Sequence, residues 1–103
     1  PAQVTPLIEK MKAQLPIPAL ATHQIVGTAG MKNKSSAKVP VQITDVLYFG
    51  DEGGIVCALK VPDLTNRALI VSLTHLSLPG THPLTPEIRT YQMARRKRLA
   101  QQR

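Results

Sequence analysis

Apolar residues recur at helical spacing near both ends of the chain. In the N-terminal part they predict a helix over residues 4–15, which Pro16 ends because proline cannot continue a helix. In the C-terminal part, Thr85 and Pro86 supply a capping hydroxyl and a proline for the first turn, and they predict a helix over residues 86–100. The side chains expected on one side of this second helix are Ile88, Tyr91, Gln92, Arg95 and Leu99.

Between the two helices, apolar and polar residues alternate with the period of a β-strand. The alternation covers residues 39–49 and resumes over residues 55–61, and the glycine-rich residues 50–54 between them are typical of a turn. We therefore predict a β-hairpin. The hydrophobic residues expected on one face of its first strand, interrupted only by Asp45, are Val39, Val41, Ile43, Leu47 and Phe49.

Two further segments predict the remaining strands. Residues 68–73 form an apolar run that predicts a strand directly after the hairpin, and we expect this strand to continue to about residue 76 or 78. Residues 22–28 predict a short strand that precedes the hairpin. Consecutive strands joined by short turns favour an antiparallel sheet.

The helices and strands together predict an α+β domain. Its sheet is expected to be a small antiparallel β-meander or an SH3-like or OB-like partial barrel, flanked by an N-terminal helix and a basic C-terminal helix. We expect a single domain over residues 1–103. Within it, residues 1–20 hold the N-terminal helix and a proline-rich lead-in, residues 21–78 the β-sheet core, and residues 84–103 the basic C-terminal helix.

The composition excludes several classes of protein. With 103 residues, of which 43% are hydrophobic, the chain is long enough for one core and too apolar to be disordered. It has no run of about 20 apolar residues, so we predict no membrane span. The one cysteine, Cys57, lies in an apolar run and is expected to be buried. Since no basic segment followed by an apolar stretch opens the sequence, we expect a cytoplasmic location.

The net charge of +7 is unevenly distributed along the chain. Residues 1–40 carry a net +4 and residues 81–103 a net +5, whereas residues 41–80, which hold most of the predicted strands, carry −2. Such an asymmetry favours a polyanionic partner. The candidates are nucleic acid, an acidic protein and an anionic membrane surface. The competing interpretation is that the basic C-terminal residues only keep the chain solvated.

The strongest candidate for contact with a polyanion is the basic run of the C-terminal helix. We expect the first two turns of this helix to dock on the sheet and the last two to extend into solvent, so replacing residues 95–98 with glutamine should leave the fold intact. A second basic group lies in the loop before the hairpin. The predicted contact residues are Arg89, Arg95, Arg96, Lys97 and Arg98 on the helix, and Lys32, Lys34 and Lys38 in the loop.

These residues predict a small basic binding module without enzymatic activity. Arginine and lysine contacts to phosphates give salt-sensitive affinity with little sequence specificity, and the scarcity of aromatic residues argues against base stacking. We therefore favour contact with the nucleic-acid backbone. The alternative is a protein-interaction adaptor, or a structural subunit of a larger assembly, that docks on an acidic partner. The pattern also allows self-association through a sheet edge, for example of the hairpin over residues 41–61.

No pattern predicts a catalytic, cofactor or metal site. Residues 27–35 lack the Gly-Lys-Ser/Thr order of a phosphate-binding loop and precede a predicted strand rather than a helix. The residues that could be combined into a hydrolytic site, although no nucleophile motif surrounds them, are Ser72, Thr74 and His75 with Asp45 or Asp51. The candidate metal ligands, none of which forms a close-spaced pair, are His23, Cys57, His75 and His82.

Overall fold

The computed structural model describes residues 4–22, 38–61 and 69–101. Its elements are, in chain order, α1 (Val4–Gln14), β1 (Ile17–Ala21), β2 (Val39–Tyr48), the short helix α2 (Gly50–Gly53), β3 (Ile55–Lys60), β4 (Leu69–Ser72), a 3-10 turn (Leu73–His75) and α3 (Thr85–Gln101). The strands form one antiparallel sheet in the order β1-β2-β3-β4. The protein is therefore α+β, with an open antiparallel meander between an N-terminal and a C-terminal helix. This confirms the predicted class, both helices and the hairpin.

The first strand differs from the prediction. β1 lies at Ile17–Ala21, inside the segment expected to be a proline-rich lead-in, while residues 23–28 of the predicted strand lie outside the described residues. Proline fits in β1 because the Leu20 N–H points away from β2 and donates to Ser77 O at 2.7 Å. The nitrogen of Pro18, two residues earlier, faces the same edge, so its missing N–H costs no hydrogen bond to β2.

A β-bulge changes which side chains of β2 face the core. The register shifts between Ile43 and Asp45, and one extra residue reverses the alternation in the second half of the strand. Val46 is consequently buried, whereas Leu47 and Phe49 are 37% and 60% exposed. The prediction that Leu47 and Phe49 share the core face with Ile43 is therefore wrong.

The fourth strand ends earlier than predicted. The Ser72 side chain accepts a hydrogen bond from Thr74 N at 3.3 Å and so caps the 3-10 turn that follows β4. Beyond the turn, Ser77 pairs with Leu20 through two backbone hydrogen bonds of 2.7 and 2.9 Å. The residues after the turn thus contact the free edge of β1 rather than continuing β4.

Both helices pack on one face of the sheet and share one hydrophobic core. Leu7 and Met11 of α1 and Ile88 of α3 are buried in the same cluster as the inward side chains of the strands. An exposed ion pair joins the helices at the surface, with Lys10 Nζ 3.0 Å from both carboxylate oxygens of Glu87. Within the described ranges, the structure has no helix with the length and apolar character needed to cross a membrane.

Candidate polyanion-binding surface

Helix α3 docks over three turns. Tyr91 Oη accepts a hydrogen bond from Ile55 N at 2.8 Å, at the start of β3. The next residue, the buried Gln92, donates through Nε2 to the carbonyl oxygens of Leu73 and Leu76, both at 2.7 Å. Arg95, in the third turn, is only 9% exposed. The prediction that α3 extends into solvent after two turns is therefore wrong.

Arg95 packs against the turn that joins α2 to β3. Gly54 in this turn has a φ of +66°, a conformation that favours glycine. A Cβ at Gly54 would lie 2.6 Å from Arg95 Nε and 2.6 Å from Tyr91 Oη, so the guanidinium and the phenol occupy the space that a side chain would need. The structure thus places Arg95, a predicted contact residue, in the interface between α3 and the sheet.

Arg96 and Arg98 differ from Arg95 in their surroundings. Arg96 is exposed, and its Nη2 donates to the backbone oxygen of Thr74 at 2.5 Å, which fixes the guanidinium beside the 3-10 turn. Arg98 is half-buried. A guanidinium has five N–H donors, so Arg96 keeps donors for an external anion after it has bonded Thr74.

The solvent side of α3 forms a surface that we call the basic face of α3, defined by Arg89, Met93, Arg96 and Lys97. Met93 lies one turn after Arg89 and one turn before Lys97, and it is 69% exposed. Arg89 and Lys97 are exposed and form no hydrogen bond or ion pair with any residue that the structure describes. From the helical rise, Arg89 and Lys97 are about 12 Å apart along the axis.

The charge of this face is not balanced by the helix itself. The sequence of α3 contains one acidic residue, Glu87, and its carboxylate pairs with Lys10 of α1. Glu87 also lies in the first turn, where a negative charge interacts favourably with the helix dipole. The basic face of α3 therefore presents three cationic groups to solvent, with no carboxylate among its own residues.

Lys38 lies near α3 through the chain segment that follows β4. Its Nζ donates to Ser77 Oγ at 2.7 Å. Ser77 comes three residues after Thr74, whose carbonyl accepts from Arg96. Three extended residues span at most about 10 Å. The short segment 74–77 therefore contacts both Lys38 and α3. The predicted contact residues Lys32 and Lys34 lie outside the described residues.

Sequence reasoning missed the backbone carbonyls that tie α3 to the turn after β4. The helical spacing predicts Gln92 on the same side of the helix as Ile88, but the two acceptors of its amide are backbone oxygens and carry no sequence signal. Gly54 did carry a signal, since a glycine pair before a strand is typical of a backbone with positive φ. Its close approach to Arg95 depends on tertiary packing and cannot be seen in the pattern.

The other sequence candidates whose side chains the structure describes are not brought together into a chemical site, while His23 and the side chain of Asp51 lie outside the described part. Ser72 Oγ is hydrogen-bonded to Thr74 Oγ1 at 2.8 Å, while Asp45 lies two strands away on β2 and accepts from Val46 N. Burial raises the pKa of the Cys57 thiol to about 12, so this cysteine is neutral at physiological pH. Among residues 4–22, 38–61 and 69–101, no three His, Cys, Asp or Glu residues are grouped as a metal site requires.

Comparison of the chain with models of protein families, with curated proteins and with solved structures finds no match. Function is therefore inferred from the residues and their geometry.

Proposed function

We propose that this protein is a small basic binding module that contacts the phosphate backbone of nucleic acid through the basic face of α3. The observation that carries the proposal is the set of cations at Arg89, Arg96 and Lys97 on one side of a docked helix whose single carboxylate, at Glu87, is already paired. Docking by Tyr91 and Gln92 holds the helix in place, so the three cations are presented by a fixed backbone. A fixed arrangement loses less conformational freedom on binding than a solvated tail would.

The dimensions of the basic face of α3 suit a backbone contact. Over about 12 Å, double-stranded DNA presents roughly seven phosphate charges. The three cations can therefore pair with phosphates at many positions along the duplex. The face contains no aromatic ring that could stack on a base, since Tyr91 is half-buried and bonded to Ile55 N. We therefore expect binding that tolerates any sequence.

A fluorescence titration against labelled duplex DNA, at several salt concentrations, tests the proposal. Three phosphate contacts predict a log–log salt slope of about −2.7, and replacement of either Arg89 or Lys97 with glutamine should make the slope shallower by about 0.9. Lys60→Gln is the matched control, because Lys60 is exposed at the end of β3 that lies farthest from Ile55 and α3. Absence of binding at low salt, or equal effects of all three variants, would contradict the proposal.

An adaptor that docks on an acidic protein is the second candidate, and the exposure of Met93 favours it. A 69% exposed thioether in the middle of a cationic face is what a partner with an apolar residue among its carboxylates would bury. The two functions differ in the effect of Met93→Ser. This substitution should leave binding to a nucleic-acid backbone almost unchanged, and it should weaken binding to an acidic protein.

We further propose that the sheet is an SH3-like partial barrel rather than a flat meander. The pairing of Leu20 with Ser77 supports this, because it brings the chain that follows β4 back to β1. Amide hydrogen exchange tests it. Leu20 and Ser77 should be protected to an extent similar to the amides between β2 and β3, and rapid exchange at both positions would count against a barrel.

A further inference from the structure

A shallow apolar groove of about 290 Å³ lies on the face of β1 and β2 that points away from the core. Its walls include the rings of Pro18, Pro40 and Pro79 together with Leu20. Pro40 pairs with Leu20 across the two strands, and the neighbouring pair, Ala19 and Val41, points into the core. The groove is thus a feature of the outer sheet surface, separate from the basic face of α3.

A cation borders this groove. Lys38 Nζ is 2.7 Å from Ser77 Oγ, Ser77 pairs with Leu20 in the groove wall, and Pro79 of the opposite wall follows two residues later. An apolar depression with an ammonium group at its border selects an apolar side chain that has a carboxylate close to it in sequence.

The hairpin tip of the same sequence has this chemistry. Phe49, between β2 and α2, is 60% exposed, and the next residues along the chain include the acidic pair Asp51 and Glu52. We call residues 47–52 the tip. The tip and the groove lie at opposite ends of β2, whose ten residues span about 30 Å, so the tip of a chain cannot enter the groove of that chain.

We propose that the tip of one copy binds in the groove of a second copy, with Phe49 against the proline rings and the acidic pair near Lys38. The complementary charges supply a local attraction between chains that each carry a net +7 and would otherwise repel one another. Because tip and groove are different surfaces, the contact is head-to-tail, and it extends to larger oligomers unless a ring closes.

Sedimentation velocity over the micromolar to millimolar range tests self-association at low salt. The wild-type protein should sediment faster as its concentration rises. Phe49→Ser in the tip and Pro18→Glu in the groove should each keep the protein monomeric, and both positions are exposed, so the fold is expected to survive, as circular dichroism would verify. Met93→Ser, on the basic face of α3, is the control and should associate like the wild type.

A mixture of the two monomeric variants gives the decisive result. The tip variant keeps an intact groove and the groove variant keeps an intact tip, so an equimolar mixture should form a dimer and no larger species. A wild-type monomer at every concentration overturns the proposal and leaves the groove to a partner of different sequence. Association that survives either substitution, or a mixture that stays monomeric, overturns it as well.

Discussion

The guanidinium of Arg95 lies over the α-carbon of Gly54, in the space that a Cβ at this position would occupy. An ideal Cβ on Gly54 would be 2.6 Å from Arg95 Nε and 2.7 Å from Arg95 Cζ. Helix α3 therefore approaches the turn before β3 as closely as a bare backbone allows. A residue whose charge suggests a surface role is in this way part of the packing that holds the helix on the sheet.

We predict that Gly54→Ala is much more destabilising than Gly50→Ala. Both glycines have positive φ, +66° at Gly54 and +74° at Gly50, so each substitution carries a backbone cost of about 1–3 kcal/mol, and the ψ of −155° puts Gly54 in a region that is essentially limited to glycine. At Gly50 no atom lies within 4 Å of the new Cβ, whereas at Gly54 the Cβ overlaps Arg95 and Tyr91, which adds roughly 1–3 kcal/mol. Urea unfolding of the two variants measures the difference, and equal losses would show that Arg95 is not packed on Gly54.

Arg95→Gln should reduce stability, while Lys97→Gln should not. Arg95 is buried with its aliphatic stem and guanidinium against the sheet, and its truncation is expected to cost about 2 kcal/mol. Lys97, two residues further, is exposed, and a surface change of this kind stays within about 0.5 kcal/mol. The two variants, compared by thermal and urea unfolding, separate the structural role of one residue from the charge of the other.

The replacement of all four residues 95–98 with glutamine is consequently expected to destabilise the protein. The sequence pattern predicts that this variant folds, because it treats residues 95–98 as one solvent-exposed run. Loss of nucleic-acid binding in that variant would be uninformative, because unfolding and loss of charge would act together. Arg89→Gln and Lys97→Gln, which leave the docked side of α3 intact, are the informative substitutions for binding.

The sequence predicts those parts of the fold that depend on local periodicity. The spacing of Leu7 and Met11 in α1, and the alternation in β2 and β3, are visible because each element buries one face. The pairing of Leu20 with Ser77 is different, since it joins residues 57 positions apart and depends on where β1 lies. The sequence pattern does not indicate β1 because this segment contains Pro18. Proline is unfavourable within a sheet except on an edge strand, at a position whose N–H would not bond to a neighbouring strand.

The bulge in β2 and the docking of α3 explain why side-chain positions were harder to predict than elements. One unpaired residue near Thr44 reverses the alternation, and nothing in the sequence distinguishes a bulge from a regular strand with one polar residue. On α3, the spacing predicts Arg95 on the side of Ile88, but how far along the helix this side docks is decided by the position of Gly54 and of the carbonyls after β4. Charge alone therefore predicts a basic surface, but it does not predict which basic residues are exposed to a partner and which are packed on the sheet.

Gln92→Leu tests the connection between α3 and the 3-10 turn. Gln92 is buried, and its amide donates to the oxygens of both Leu73 and Leu76. Leucine fills a similar volume but leaves two carbonyls without a donor, so we expect a loss on the order of 3 kcal/mol. Thr90→Ala is the control, because the Thr90 hydroxyl is exposed and bonds only to Pro86 O of its own helix. A loss for Gln92→Leu no larger than for Thr90→Ala would contradict the observed hydrogen bonds.

The stability of the protein should fall at alkaline pH because of Cys57. Burial raises the pKa of its thiol from 9.0 to about 12. Between these values the thiol of the unfolded chain loses its proton while the folded chain keeps it, so unfolding releases a proton and becomes more favourable as the pH rises. The contribution is fully present below pH 9.0 and is lost as the pH approaches 12.

This pH dependence can be isolated with Cys57→Ala. The variant loses packing at every pH, but it lacks the titrating thiol, so its disadvantage relative to the wild type should shrink by about 2 kcal/mol between about pH 8 and about pH 10.5. Urea unfolding at the two pH values measures this change, and the other titrating groups, which both proteins share, cancel in the difference. A stability difference that is independent of pH would mean that the thiol is not buried. In that case native Cys57 should also react with iodoacetamide as quickly as the unfolded chain does, whereas a thiol that stays protonated should be protected.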